Sequence, residues 1–495
     1  MIEVVSVDNM RKSDRYTIEE RVPSLELMHR AGKGIFDSVS WRGKTLIVCG
    51  KGNNAGDGYV VALLLKERGY CVELMLLDYS FSEDGKYYFD KCTEAKIPYS
   101  VYENQDLSGY DIILDCIFGT GLDKTVTGKA GELIKRINES GAYVVSADIN
   151  SGLNGDNGLS SLCVKSDLTV SIGSIKSGHI LSMAKDKIGK LVNRDIGIEL
   201  KEKPFYLLEG KDVKEHLGKR ASFSNKSTYG YVAIIGGSLE YSGAIKLSAI
   251  ASGAVRSGSG VVKLLTPRSI CYSVLPYVLE STLYPLSERD GAIEFNQEEL
   301  DRGLIGIKAI AIGMGMGQRG DNERIISHIL RSYDVPVIID ADGLNTLAKM
   351  DKEIVKNSRC RVVLTPHPKE MERLTKIPVD EILKSPIEHA RAYAKEMGAV
   401  VLLKGNATVI TDGETVYLTD TGCSGMATAG SGDVLSGILL SLCATGKDIL
   451  KSVAVGSYIN GYAGEIASGE LCDIAMSAGN TARSVGLAIS KLLKS

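Results

Sequence analysis

Proline is scarce in this sequence, 11 residues against 54 glycines, which excludes a proline-rich disordered linker and points to many tight strand-to-helix turns. Charge of either sign is not in excess, and a net charge of −3 argues against nucleic acid or an anionic membrane as partner. No apolar run approaches the length of a membrane span, and the opening MIEVVSVDNMRKSD lacks the apolar stretch of a secretion signal. None of the ten cysteines forms a C-x-x-C pair, and no His/Cys group has zinc spacing, so the thiols read as reduced and mostly buried. Short-period repeats and low-complexity tracts are missing as well. A soluble, cytoplasmic protein is expected.

What is present is an α/β pattern in a chain of 495 residues, too long for one ordinary core, so two or more domains are expected. TLIVCG (45–50), CVELMLL (71–77), DIILDC (111–116) and AYVVSADI (142–149) fit buried parallel strands, and GYVVALLLKERG (58–69) fits an amphipathic helix closing on Gly69. That alternation implies a Rossmann-like, doubly wound layer. The charged stretch 199–219 breaks the rhythm, so a first domain is expected over 1–205 and a second, larger α/β domain over 210–495. The second announces itself in YGYVAIIGG (229–237), GVVKLLTP (260–267), IKAIAIGMGMG (307–317), VPVIID (335–340), RCRVVLTPH (359–367) and AVVLLKG (399–405).

The strand TLIVCG runs straight into KGNNAGDG, where Gly50, Gly52 and Ala55 give the G-x-G-x-x-A spacing of a dinucleotide turn. Glycines let the backbone approach a pyrophosphate, and a helix start offers it unpaired N–H groups. A tight turn with no ligand accounts for an isolated match equally well. Asn53, Asn54 and Asp57, however, crowd the turn with donors and acceptors where a dehydrogenase fingerprint needs small residues. Asp78 comes too late to be the ribose-binding acid of that fingerprint. Asp57, Asp115 and Asp148 lie at or just beyond three strand ends and are expected to converge on the ligand crevice of the fold, although each alone fits a cap or turn.

KGNNAGDG, DCIFGTGLDKT and ADINSG, in this order, resemble the YjeF N-terminal domain family of NAD(P)H-hydrate (NAD(P)HX) epimerases over roughly residues 1–200. The resemblance implies that Asn53, Asn54, Ala55, Gly56 and Asp57 contact the hydrated dinucleotide, together with Gly119, Thr120, Gly121, Leu122, Asp123, Lys124, Thr125 and Asp148. It also implies a potassium ion at Asn54, Asp115 and Ser151, oxygen-bearing residues of the kind a hard cation takes. Two positions depart from the family: Ala55 replaces a common glycine, and Asn150 stands where the family's D-I-P-S-G has proline. Loss of that proline is expected to loosen the turn before Ser151.

Downstream lie GGSLEYSGA (236–244), GMGMG (313–317), IIDADGLNTL (338–347), TPHPKEMERL (365–374), KGNAT (404–408) ahead of a hairpin VITDGETVYL, and AGSGDVLSG (429–437). In the last, Gly430, Ser431 and Gly432 present consecutive N–H groups at a helix start, a nest suited to phosphate. Asp433, in the first turn, can take a hydroxyl proton as that oxygen attacks phosphorus, typically worth about 10²–10⁴ in rate. Capping alone also favours Asp there, but it requires neither the glycine nest nor the GMAT lead-in.

G-S-G-D resembles the G-x-G-D of ribokinase-like kinases, and the full set is similar to the YjeF C-terminal family of ADP- or ATP-dependent NAD(P)H-hydrate dehydratases over roughly residues 210–495. That resemblance implies that Ala244, Gly315, His367 and Asp433 contact the hydrated dinucleotide, while Lys404, Gly405, Asn406, Ala407, Thr408 and Gly432 hold the adenine nucleotide. A histidine between two prolines can also simply pack, and His29, His179, His216, His328 and His389 match no site pattern. Lys369, Cys423 and Ser431 replace a frequent glycine, asparagine and threonine without removing a group needed for chemistry.

Taken together, the resemblances imply repair of a hydrated nicotinamide cofactor. The first domain would interconvert the R and S forms of NADHX or NADPHX, with Asp148 handling the proton and K⁺ as its ion. The second would use Asp433 to activate the C6 hydroxyl against ADP, with Mg²⁺ on the phosphates, and eliminate phosphate to restore NADH or NADPH beside AMP. The alternative is a ribokinase-like small-molecule kinase fused to a non-catalytic dinucleotide-binding domain. ADP against ATP, NADHX against NADPHX, and homo-oligomerisation stay open at this level.

Overall fold

KTLIVC is buried over five of its six residues and IILDC over all five, as strands must be when helices cover both faces of a parallel sheet. The computed structural model describes residues 1–122, 124–252 and 257–494, so Asp123 lies outside the described residues. The chain divides into two compact units, residues 3–205 and residues 206–495, the latter including Met1 and Ile2.

In the first unit, α1 (Val7–Glu20) precedes β1 (Lys44–Cys49), α2 (Asn53–Glu67), β2 (Cys71–Leu76), β3 (Tyr99–Val101), β4 (Ile112–Cys116), β5 (Tyr143–Ala147), β6 (Ser166–Ile172) and β7 (Ile188–Arg194). The seven strands form a parallel sheet in the order β3-β2-β1-β4-β5-β6-β7. Strand order reverses between β1 and β4, the place where doubly wound sheets bind ligands beyond their carboxyl ends. Helix α2 starts at Asn53, five residues earlier than the hydrophobic pattern indicates, so the asparagines sit on its first turn. Its glycines serve close packing: a Cβ on Gly56 would fall 2.4 Å from Met28 Sδ, and one on Gly58 would fall 2.8 Å from Cys116 Sγ. Strand β6 escaped the apolar pattern because Ser166, Thr169 and Ser171 are buried in it alongside Leu168 and Val170.

The second unit is built on β8 (Tyr231–Ile235), α3 (Ser242–Ser252), β9 (Val261–Pro267), β10 (Ser281–Leu286), β11 (Ile307–Ile312), β12 (Pro336–Ile339), β13 (Arg361–Leu364), α4 (Pro368–Thr375), β14 (Val400–Leu403), β15 (Thr408–Thr411), β16 (Val416–Thr419) and α5 (Ser431–Cys443). The sheet runs β10-β9-β8-β11-β12-β13-β14-β15-β16, parallel as far as β14 and antiparallel across β15 and β16, the hairpin expected from VITDGETVYL. Helix α5 is buried from Val434 to Cys443. It meets α3 at Gly437, where a Cβ would lie 2.2 Å from Ser248 O, so glycine there permits the close crossing. Among the described residues no helix is long and apolar enough to cross a membrane.

Candidate functional site

Beyond β1, β4 and β5 of the first unit a cavity of about 700 Å³ opens, lined by Asn53, Asn54, Asp57, Gly119, Thr120, Gly121, Leu122, Lys124 and Asp148. Ala55 and Gly56 instead face the core, and Thr125 is exposed away from the lining. Asp115 departs from the expected convergence. It is wholly buried outside the lining, and its carboxylate accepts from Ile117 N, Ser146 Oγ, Ser151 N and Ser151 Oγ at 2.5–3.2 Å. Desolvation raises its pKa and those hydrogen bonds oppose the rise.

Two cavity residues carry no local sequence signature: Asp14, from α1, and Lys176, which follows Ile175 in a two-residue strand. The Lys176 side chain is 2% exposed, and its ammonium donates to the Asp148 carboxylate and to Ile172 O. Asp148 holds a left-handed backbone (φ 60°), a conformation of some cost for a non-glycine residue. It is fixed by Asp148 N donating to Val170 O at 2.8 Å and by Ile172 N donating to the Asp148 carboxylate at 3.2 Å. His179 Nδ1 accepts from Lys176 N at 3.0 Å, which leaves its proton on Nε2 to donate to Asp148 O at 2.8 Å. Burial, with Lys176 nearby, pushes the His179 pKa down to about 4, so the ring is neutral. Burial also drives the Asp57 carboxyl well above the usual range, with Asp148 and Asp14 adding repulsion, and it raises Asp14 as well.

The turn before Ser151 is not loose. The Asn150 amide is fully buried; Nδ2 donates to Val164 O, Ser166 Oγ and Lys187 O at 3.0 Å each, and Oδ1 accepts from Thr169 Oγ1 at 2.6 Å. Four hydrogen bonds do here what a proline ring would do through φ. Next to Ser151, Asn54 Oδ1 is buried and lacks a hydrogen-bond partner, while Asn54 Nδ2 donates to Phe118 O at 3.1 Å.

In the second unit the phosphate-nest helix is α5, entered through Gly430 at φ 94°. Asp433 lies in its first turn, and among the described residues no hydrogen bond or ion pair reaches its carboxylate; only its carbonyl is engaged, by Ser248 Oγ. Burial and then Asp340 push the Asp433 pKa up to about 7, against the pull of Lys404. Asp340 ends β12, is 2% exposed, and accepts from Lys404 Nζ at 2.6 Å, Ser436 Oγ at 2.7 Å and Ala341 N at 2.9 Å. A Cβ on Gly432 would lie 3.3 Å from Lys404 Nζ, which brings the expected Lys404, Gly432 and Asp433 together around Asp340.

His367 caps α4: its Nδ1 accepts from Lys369 N and Glu370 N, and Glu370 Oε2 accepts from His367 N at 2.9 Å. It is therefore an exposed capping residue with Nε2 left as a donor, rather than a packed histidine. Burial pushes the Glu370 pKa up to about 6. Lys404 N donates to Pro366 O at 2.9 Å, tying the T-P-H-P turn to the KGNAT loop. In that loop Gly405 and Asn406 are exposed, Thr408 is half-buried and Ala407 is buried. Gly315 (φ 67°) abuts Ala244, since a Cβ there would lie 2.9 Å from Ala244 Cβ. Asp14, Lys176, Asp340 and Glu370 were not singled out from the sequence; only Asp340 and Glu370 lay within motifs that were noted.

Residues 24–178 match the family model described as YjeF-related protein N-terminus, and residues 232–481 match the one described as NAD(P)H-hydrate dehydratase. The chain is 33% identical to the bifunctional NAD(P)H-hydrate repair enzyme Nnr of Moorella thermoacetica, over 96% of this chain and 94% of that one. It is 32% identical to the enzyme of the same name from Thermofilum pendens, over 92% and 90%. Among solved structures, the ADP/ATP-dependent NAD(P)H-hydrate dehydratase of Bacillus subtilis, co-crystallised with ATP and Mg²⁺, aligns with TM-score 0.51 and 28% identity, covering 58% of this chain and 99% of that one. A ribokinase-like superfamily protein of Enterococcus faecalis, at TM-score 0.51 and 23% identity over 59% and 97%, shares the fold.

Proposed function

The chain belongs to the family of bifunctional NAD(P)H-hydrate repair enzymes, and on that premise we propose how its two sites divide the work. The first unit epimerises the R and S forms of NAD(P)HX, with the hydrated dinucleotide held between the start of α2 and the 119–125 loop and Asp148 handling the proton. The second dehydrates the S form at the expense of ADP, giving AMP and phosphate.

The observation that carries the second assignment is an unpaired carboxyl at the start of a glycine-entered helix, titrating at about 7 beside the Lys404–Asp340 pair. As a carboxylate, Asp433 accepts the proton of the C6 hydroxyl while that oxygen attacks the terminal phosphorus of ADP and the bond to the bridging oxygen breaks, releasing AMP. Phosphate is a far better leaving group than hydroxide. The ring-nitrogen lone pair expels it from C6, and loss of a C5 proton restores the double bond. Gly315 and Ala244 give the nicotinamide end room, His367 Nε2 offers it a donor, and the KGNAT loop with Gly432 holds the nucleotide.

Mg²⁺ fits here as the companion of the nucleotide phosphates, which would hold it on the side of the Asp340 carboxylate, and the ion supplies charge against the phosphates when bound. Potassium fits the first unit at Asn54 Oδ1, a buried oxygen without a partner, since Asn54 and Ser151 share Phe118 O and Ser151 in turn bonds the Asp115 carboxylate. When bound it supplies positive charge to a buried carboxylate that has no ion-pair partner among the described residues.

The test is incubation of the full chain with the mixed epimers of hydrated NADH, ADP, Mg²⁺ and K⁺. Dihydronicotinamide absorbance should be regained from the whole mixture. Recovery of only the S fraction at the uncatalysed rate of epimer exchange removes the epimerase assignment. Accumulation of a phosphorylated product with no absorbance regained identifies a kinase instead.

A further inference from the structure

Inversion at C6 by exchange of one hydroxyl for another on the opposite face of the ring calls for one proton donor and one proton acceptor set apart from each other. The cavity of the first unit is lined by four carboxyl groups, Asp14, Asp57, Asp84 and Asp148, and by four cations, Arg11, Lys51, Lys124 and Lys176. Lys176 pairs with only one of them, Asp148. Among the described residues neither Asp57 nor Asp14 has a hydrogen-bond or ion-pair partner, although both line the cavity. Asp57 stands on the helix that follows β1, and Asp148 stands beyond β5, with β4 between those strands. Neighbouring strands lie about 4.8 Å apart, so the two strand ends are separated by roughly 10 Å.

Building on the epimerase reading of this site, we propose that Asp57 is the acid and Asp148 the base of an inversion through an iminium ion. The nitrogen lone pair forms a C6=N double bond as the C6–O bond breaks, and the departing oxygen takes the Asp57 proton and leaves as water. A second water attacks the other face, its oxygen bonds to C6, and its proton passes to Asp148. The iminium charge is formed and discharged in the cavity that the Asp148 carboxylate lines. One proton has then moved from Asp57 to Asp148. Asp14, coupled to both, returns it through cavity water, and the reverse inversion uses the same groups with roles exchanged. Lys176 orients Asp148 through their ion pair, so it is a positioning residue. Burial and repulsion from two carboxylates hold a proton on Asp57, which matches the assignment of acid and base by opposed environments.

The experiment follows the purified R form of hydrated NADPH through conversion by the full chain, in K⁺ buffer made with ¹⁸O-water. Wild type should incorporate one ¹⁸O at C6 per inversion. Asp57→Asn should lower kcat about 10²-fold with KM within about threefold, and Asp57→Glu should recover a tenth or more of the wild-type rate. Inversion without ¹⁸O uptake, which indicates ring opening at retained oxygen, overturns the proposal; so does an Asp57→Asn variant within threefold of wild-type kcat. If Asp57→Asn melts well below wild type, Asp57→Glu and the isotope measurement decide. A wild-type chain that does not accelerate inversion at all removes the epimerase reading itself, a separate outcome.

Discussion

Lys404 gives its ammonium to Asp340 at 2.6 Å and leaves Asp433, one residue beyond Gly432, without a partner. The pair is nearly buried, at 22% and 2% exposure, whereas Asp433 carries the strained titration. A lysine paired to Asp433 would lower its basicity and hinder its work. Paired to Asp340, it remains beside the phosphate nest and still leaves the carboxylate basic. This division underlies the first two predictions.

Asp433→Asn should abolish ADP-driven recovery of dihydronicotinamide absorbance while ADP still binds by calorimetry. In the native chain kcat/KM should climb as pH rises through about 7, where Asp433 loses its proton. Because this carboxyl holds its proton more tightly folded than unfolded, its own contribution to stability falls as pH rises from about 4 to 7. The asparagine variant should therefore melt higher at pH 8, by about 2–4 °C per kcal/mol relieved. Near-normal turnover in the variant would rule out Asp433 as base.

Lys404→Met leaves the buried Asp340 carboxylate uncompensated and should cost about 3–5 kcal/mol of stability. Combining it with Asp340→Asn should recover much of that loss while hydrate repair stays absent. Urea unfolding of the two single variants and the double measures the coupling. Additive losses would show that the pair does not act as a unit.

Asn150→Ala removes four hydrogen bonds, taking this donor from the carbonyls of Val164 and Lys187 and leaving the Thr169 hydroxyl with Ser166 alone. The expected cost is about 2–4 kcal/mol, within the range for buried polar groups left unmatched. Since Asn150 precedes Ser151, the K⁺ concentration giving half-maximal epimerisation should rise. A potassium titration of the variant checks this, and an unchanged midpoint would place the residue outside ion positioning.

His179 and His216 both have pKa values pushed down to about 4 by burial. Unfolded, each binds a proton below about 6.5, so the unfolded state gains protons first as the solution is acidified. The stability these two rings contribute should be full above pH 7, fall as pH drops from about 6.5 to 4, and level off below. Melting followed against pH should show a shallower acid slope in His179→Gln than in wild type. An unchanged slope would mean that the ring is not buried neutral.

Much of both sites is legible in the linear sequence because backbone-binding loops are contiguous. KGNNAGDG, GTGLDK, TPHP and AGSGDV each place several groups within one turn of one element, and turn chemistry is written in neighbouring residues. The parallel strands are legible for the same reason, since burial on both faces leaves unbroken apolar runs. Strand β6 was missed because its buried serines and threonine satisfy each other and their neighbours across the fold, so no apolar run marks it.

The sequence by itself determined the family, the two α/β units and the glycine-rich turns from which both proposed sites are built. Tertiary structure alone decided the state of the residues in those sites. Lys176 meets Asp148 across 28 positions, and Lys404 meets Asp340 across 64. Proton affinity depends on burial and on the nearest charge, neither of which a local pattern encodes. The AGSGDVLSG turn names its carboxylate. Burial first, and then the distant Asp340 against the pull of its partner Lys404, set that carboxyl at about 7.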